Sequence, residues 1–479
     1  MALAWRVHPQ TRSGILIDAR DYYCEFYQLA KRARRSILLL GWQFDSDVPL
    51  VRGKDVPPGV DPESVELLPF LDALCAANPN LDVRMLAWDY AIWFVLEREV
   101  LQKLSFALRT QPNFHFENDA TVSQWGAHHQ KLAIIDGQVA FLGSADICQD
   151  RWDTSAHVCV NPLRTSRSGN PCKPYHEVQA VVTGAAARSL VDLFCERWVD
   201  GTGEPLDPKD LIVPSTDERI PCEATYPMPV GDVAIHRQFP HRLGRPAVRE
   251  ITDLTVQWIR EAERLIYIET QYFTSRAIRD ALIERMREPE RSKLQIVLIL
   301  PQKPEALKEE LAVGATQAEV LDEIARVALE TGHDLGIYNV AEQMPVYIHS
   351  KLMIVDDHRL TIGSANLNNR SMTLDSELNV SWSGDEVAEA IEGLRIRLLR
   401  EHIALDVAPW FLAAKGLVAR LDAMAKKKES RLQFHDLAPE EPSVLMKLGQ
   451  TIASAYGDPE HSPDSRPSPL PFDAPAPSR

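Results

Sequence analysis

At 479 residues the chain has room for two or three ordinary domains, and an apolar share of 45% is that of a well-packed globular protein. The formal net charge of −16, with no long run of Lys and Arg, argues against a general nucleic-acid binder, which needs a basic footprint for phosphates. The first residues, MALAWRVHPQTRSGILIDARDYY, lack a signal-peptide plan, and no stretch stays apolar for about 18 residues, so the expectation is a cytoplasmic protein that meets membranes only at their surface. Export without a cleaved signal stays open.

In chain order, RRSILLLGWQF (Arg34 to Phe44) is a helix end running into an apolar strand, and LDVRMLAWD (Leu81 to Asp89) is a second buried strand. The aromatic stretch WDYAIWFVLERE (Trp88 to Glu99) has helical spacing and reads as core packing before acyl-chain contact. HHQKLAIIDGQVAFLGSADI (His128 to Ile147) follows, then HEVQAVV (His176 to Val182) and an amphipathic helix, AAARSLVDLFCERW. A Pro-, Asp- and Thr-rich connection runs from about Asp200 to Pro229. The seven cysteines, Cys24, Cys75, Cys148, Cys159, Cys172, Cys195 and Cys222, are odd in number, lack C-x-x-C spacing and read as reduced thiols.

The plan then repeats. ERLIYIETQYF (Glu263 to Phe273) matches the first strand, KLQIVLILP (Lys293 to Pro301) the second, and IHSKLMIVDDHRLTIGSANL (Ile348 to Leu367) aligns without a gap from His129 and His349. SELNVSW (Ser376 to Trp382) aligns Glu377 with Glu177, and DEVAEAIEGLRIRLLREH supplies the following helix. Strands alternating with helices imply two similar α/β halves with mixed, largely parallel sheets. Residues 1–215 form the first half, 216–235 a linker, 236–420 the second half, 421–456 a C-terminal helical extension and 457–479 a disordered Pro-rich tail. The acidic helix from Glu310 to Glu330 reads as structural. The arginines of HRQFPHRLGRPAVRE (His236 to Glu250) suit either a solvated loop or an anionic surface.

Both aligned segments carry H-x-K-x4-D followed by G-S: His129, Lys131, Asp136, Gly143, Ser144, and His349, Lys351, Asp356, Gly363, Ser364. In an extended segment, His and Lys two apart point the same way. Lysine then supplies charge and donors for phosphate oxygens, and histidine a nucleophile or proton carrier near neutral pH. Asp136 and Asp356 complete the catalytic motif, and suit a structural ion pair better than substrate contact. The histidines outside the motif, His128, His157, His176 and His402, read as structural.

The doubled motif, with GSADICQDRWD after the first copy and GSANLNNRSMTLDSELNV after the second, resembles the phospholipase D superfamily. The resemblance covers about Ile15 to Leu405 and takes in GWQF, IYIETQYF, PYHEV and REHIAL. It implies two phospholipase-D-like halves packed about a pseudo-twofold axis, one shared active site, and no metal or cofactor. It further implies a phosphohistidine on His129 with His349 as acid/base, though pseudo-symmetry leaves the swap open. Lys131 and Lys351 are then the phosphate clamp, joined by Asn366, Ser144 and Ser364, and Glu177 and Glu377 orient the histidine rings. Asp146 departs from the pattern, standing where the second copy has Asn366, and a carboxylate there repels phosphate.

The implied activity is transfer of a phosphatidyl group from a glycerophospholipid to water or an alcohol. A cardiolipin-synthase-like transferase is the alternative, and a nuclease or a non-catalytic scaffold the readings from other classes. The acidic composition and two intact motifs in one chain count against the last two. A phospholipid substrate is the expected partner, and a monomer suffices for a complete site.

Overall fold

The structure, a computed structural model, describes residues 3–89, 106, 110–122, 126–214, 226–241, 245–304, 313–436 and 458–459. Strands β1 to β10 are Arg6–Thr11, Ser13–Ile17, Ser36–Gly41, Asp82–Trp88, Phe114–Asp119, Leu132–Ile135, Val139–Gly143, Tyr175–His176, Val178–Thr183 and Tyr226–Pro227. Strands β11 to β20 are Gly231–Phe239, Val248–Arg249, Leu265–Glu269, Gln295–Ile299, Asp334–Val340, Tyr347–Ile348, Leu352–Val355, Arg359–Gly363, Glu377–Ser383 and Leu432–Phe434. Helices α1 to α9 are Ala19–Ala30, Leu67–Ala77, Ala185–Thr202, Glu250–Glu261, Arg276–Arg287, Ala315–Thr331, Asn369–Thr373, Ala388–Ile403 and Leu417–Ala425.

Two large sheets share one strand order. The first runs β10-β2-β9-β7-β6-β3-β4-β5, and the second β1-β11-β19-β18-β17-β13-β14-β15-β20, with β12 on β11. The run from β2 to β5 in the first matches the run from β11 to β15 in the second, strand for strand, which is the pseudo-twofold repeat. Only β3 with β4, β4 with β5, β13 with β14 and β14 with β15 pair in parallel within the large sheets. The sheets are therefore mixed but mainly antiparallel, a correction to the largely parallel expectation. Two of the antiparallel pairs are tight hairpins set by Asp-Gly and Asp-Asp: Asp136, Gly137, Asp356 and Asp357 all have positive φ, closing β6 onto β7 and β17 onto β18. Such turns demand two residues that tolerate the left-handed region, and Asp and Gly do.

One core lies between the sheets, where Leu38, Ile134, Ala180 and Val182 meet Val233, Ile354, Val380 and Trp382. Two outer cores lie under the helices, one around Tyr23, Phe26 and Leu71, the other around Trp258, Ile259 and Leu282. The central strands are buried on both faces, which is why they read as unbroken Ile, Leu and Val runs and not as alternation. The halves also exchange strands. β1, from the first half by sequence, pairs with β11, and β10, from the expected linker, pairs with β2, so the boundaries at 215 and 236 do not separate the sheets.

The expected helical extension, 421–456, holds only the end of α9 and then β20, an antiparallel edge strand on β15, and residues 437–457 lie outside the described residues. Within the expected structureless tail, Asp458 is buried, accepting from the Arg370 amide at 2.9 Å, from Asn369 Nδ2 at 3.2 Å and from Thr274 Oγ1. Of the aromatic stretch, Trp88 is buried and residues 90–99 lie outside the described residues. The basic stretch is not a solvated loop: His236 to Phe239 lie in β11 and Val248–Arg249 form β12, Arg237 pairs with Glu250 and Arg245 with Glu196 and Asp200, and residues 242–244 lie outside the described residues. The cysteines other than Cys222, which is not among the described residues, are free thiols. No helix among the described residues is long and apolar enough to cross a membrane.

Candidate active site

The two H-x-K segments meet where the halves touch. β8 and β16 pair in parallel across the interface, and an isolated bridge joins His128 to Ser376 in the same way. The backbone holds each motif histidine to the other half: His129 N donates to Ser376 O and His349 N to His176 O, both at 2.9 Å. The side chains cross over too. His129 Nδ1 lies 3.0 Å from Glu377 Oε2, and His349 Nδ1 lies 2.8 Å from Glu177 Oε1. Each ring thus spends Nδ1 on a carboxylate, which fixes the tautomer and leaves Nε2 for chemistry.

Both lysines are buried beside the rings. Lys131 Nζ reaches Asp146 Oδ2 at 2.9 Å, while Lys351 Nζ donates to the His349 carbonyl and, at 3.3 Å, to Gln271 Oε1. Asp146 also accepts from Trp42 N, so the carboxylate expected to repel phosphate is engaged as the counter-ion of Lys131. Its counterpart Asn366 is buried, and its amide oxygen meets no hydrogen-bond donor among the described residues.

Burial, then the charges of Lys131 and Lys351, hold His129 well below the ordinary imidazole range. For His349 the causes are burial, then Lys351 and Arg151. Burial likewise holds Lys351 well below the usual ammonium range. Both rings are therefore neutral near pH 7, as a nucleophile or a base requires. Burial pushes Glu377 up to about 7, against the pull of the Ser364 hydroxyl that donates to it.

Several expected residues do other work. Asp136 accepts from the backbone amides of Arg34, Arg35 and Ser36, and Asp356 from those of Glu263, Arg264 and Leu265, at 2.6 to 3.1 Å. They stand at the opposite ends of β6 and β17 from the motif histidines, so the catalytic role and the ion-pair role expected of them are both corrected: they fasten the turns that lead into β3 and β13. Asp356→Ala strands three amides and is expected to destabilise the fold by about 3 kcal/mol in urea denaturation, with activity per folded molecule kept. Ser144 bridges the Val178 amide and carbonyl, and Ser364 binds Glu377 and the Leu378 amide, so neither stands as a phosphate donor. Gly143 and Gly363 admit Gln179 and Asn379 against the backbone where a Cβ would collide.

Sequence reasoning passes over four residues. Tyr175 and Tyr347 flank His349 with ring centroids 5.9 and 6.4 Å away, the Arg151 guanidinium lies 4.6 Å over the Tyr175 ring, and Gln271 Nε2 donates to the Tyr347 hydroxyl at 3.0 Å. All four lie inside or beside the quoted signatures, GSADICQDRWD, PYHEV, IETQYF and the residue before IHSK, but only the fold places them around one ring.

Ser364→Ala is expected to move the acid limb of activity upward by about half to one pH unit, because Glu377 loses the hydroxyl that holds its carboxyl down. The stability sign is opposite. A carboxyl raised from 4.5 to about 7 on folding favours the native state below pH 4.5, and that contribution is lost as pH rises through 7. A pH–rate profile beside a pH–melting profile checks both.

A family model described as "Phospholipase D" matches residues 29–226, and one described as "Cardiolipin synthase, PLD-like domain" matches residues 255–394. Phospholipase D A of Dictyostelium discoideum is 25% identical over 470 residues, spanning 82% of this chain and 35% of that protein. Phospholipase D alpha 1 of Zea mays is 24% identical over 601 residues, spanning 94% of this chain and 73% of that protein. The chain thus covers about a third of the first relative's length and about three quarters of the second's. Among solved structures, a phosphatidylserine synthase of Haemophilus influenzae Rd KW20 superposes with a TM-score of 0.56 at 14% identity, over 92% of this chain and 94% of that one, a likeness of fold. Two family models in tandem, one on each half of a pseudo-twofold fold, place this chain in the phospholipase D superfamily.

Proposed function

We propose that the chain is a phospholipase D-type phosphodiesterase and phosphatidyltransferase acting on glycerophospholipids. The observation that carries this reading is the crossed pair of histidine–glutamate contacts, with two buried lysines whose charges act on both rings, built from both halves of one chain. His129 Nε2 attacks phosphorus and the bond to the headgroup oxygen breaks. The bound phosphate anion offsets the lysine charges so that His349 enters this step protonated on both ring nitrogens, and the imidazolium gives that oxygen its Nε2 proton, leaving a neutral ring. His349 then takes the proton of an incoming water or alcohol, whose oxygen displaces His129 from phosphorus. Lys131, Lys351 and Asn366 hold the non-bridging oxygens as charge builds on them. A monomer carries the whole site, and any membrane contact is peripheral.

The test is headgroup release from phospholipid vesicles with a small primary alcohol and a chelator present. Turnover that resists the chelator and yields a phosphatidyl alcohol supports the reading. Cleavage of DNA or RNA instead, with no lipid turnover, moves the substrate to nucleic acid and overturns the lipid assignment.

A further inference from the structure

Beneath the active site, on the His349 side, lies a large buried ionic cluster that the mechanism does not use. His176 Nε2 lies 3.0 Å from Glu269 Oε2, and its Nδ1 lies 2.8 Å from Glu401 Oε1 and 3.2 Å from Asp18 Oδ1. His157 faces Asp153 at 2.9 Å and Glu401 at 3.2 Å, His402 faces Glu269 at 2.8 Å, and Arg164 closes on Asp153 at 2.8 Å. All of these side chains are at most 5% exposed. The contacts span the halves, since Asp18, Asp153, His157, Arg164 and His176 come from the first and Glu269, Glu401 and His402 from the second.

The cluster is fastened to the catalytic arm at several points. The His176 carbonyl takes both the His349 and Ser350 amides, at 2.9 and 3.1 Å. Ser350 Oγ donates to Glu269 Oε2 at 2.6 Å. Asp18 N donates to the carbonyl of Glu177, the residue that holds the His349 ring. At the pseudo-equivalent place on the other arm stands Ser376, whose hydroxyl meets His128 Nδ1 at 2.8 Å, beside a smaller set in which Asp119 faces His128 and Arg197. The two arms share a backbone plan and differ in what lies under it.

We propose that His176 is a positioning residue for His349: as the hub of this ionic cluster it locks the arm bearing Glu177 and His349 across the interface. The inference rests on the phosphodiesterase reading of the site. Charge supports it. Burial pulls the imidazoles of His157 and His176 down, but the carboxylates around them outweigh it, holding His157 at about 9 and His176 well above its ordinary range. Burial, then Glu401, pushes the Asp18 carboxyl up. Four acidic groups, Asp18, Asp153, Glu269 and Glu401, face four basic ones, Arg164, His157, His176 and His402, so acid and base match in number without any further cation. An unbalanced charge here is costly, because burial leaves nothing else to screen it. His349 itself is faced by Glu177, Lys351, Lys131, Arg151 and His129, so a change of charge in the cluster adds to a field already dominated by cations.

His176→Gln keeps a polar side chain and removes one positive charge. The expected result is a fall in kcat of about 10²-fold with KM within threefold of wild type, and a rise of about one unit in the pH at which His349 titrates. That titration is read from the ring ¹⁵N signals of His349, which need no substrate, so it stands even if lipid turnover is absent in the wild type. The double variant His176→Gln/Glu401→Gln restores the charge balance and is expected to recover at least tenfold of the lost kcat and most of the pH shift. An unmoved His349 titration, or a double variant with the losses of both singles added, overturns the proposal. Stoichiometric divalent metal in the purified protein, lost in His176→Gln, also overturns it and makes the imidazoles ligands instead.

Discussion

Alanine at His129 or at His349 lowers phosphodiester turnover by about 10⁴-fold or more, and the double substitution costs no more than either single one. Non-additivity is the informative part. One histidine forms the bond to phosphorus and the other delivers the proton to the leaving oxygen, so removing either stops the same sequence. The single variants should differ in what they accumulate. With His129 intact and His349→Ala, a substrate whose leaving group needs no proton still phosphorylates His129, giving an acid-labile phosphoprotein that hydrolyses slowly for want of a base. With His129→Ala that species does not form. The reverse pattern of labelling would exchange the two roles, which pseudo-symmetry permits and crossed contacts to Glu377 and Glu177 do not distinguish. Melting curves separate these effects from misfolding, because His129 is partly exposed and its backbone tether to Ser376 survives the substitution.

Much of this site is legible before the fold. Period-two spacing puts His and Lys on one side, the gap-free alignment pairs the halves, and Glu177 and Glu377 fall at equivalent places, so the orienting carboxylates can be named. That each glutamate serves the histidine of the other half is not legible, because it depends on β8 and β16 pairing across the interface. The aspartates mislead for a different reason. A carboxylate five residues after a lysine suggests an ion pair, yet Asp136 and Asp356 sit in tight turns with positive φ, where the nearest donors are backbone amides. Those same turns close two of the antiparallel pairs, β6 with β7 and β17 with β18. His157, His176 and His402 read as partnered histidines from sequence and are so in the fold, but residues 18, 157, 269 and 401 come together only through long-range topology that no local pattern reports.

Asp146 is where sequence symmetry breaks, and it sets up the second large effect. Lys131 and Lys351 occupy equivalent places, but Lys131 is neutralised by Asp146 at 2.9 Å, whereas among the described residues Lys351 donates to a carbonyl and to the Gln271 amide oxygen and to no carboxylate. Lys351→Ala is expected to lower kcat about 10³-fold, since it removes the lysine that no carboxylate neutralises and whose charged form, disfavoured by burial, the phosphate anion itself stabilises. Both rings also rise towards their ordinary range, because Lys351 helps to hold His129 and His349 down. Lys131→Ala acts by another route: it leaves Asp146 buried without its counter-ion and facing an anionic substrate. Asp146→Asn in that background should therefore recover tenfold or more of the activity, while the same substitution added to Lys351→Ala recovers none. Steady-state kinetics on the four variants decides it, and equal behaviour of the two lysines in this cross would mean that the Asp146 contact does not divide their work.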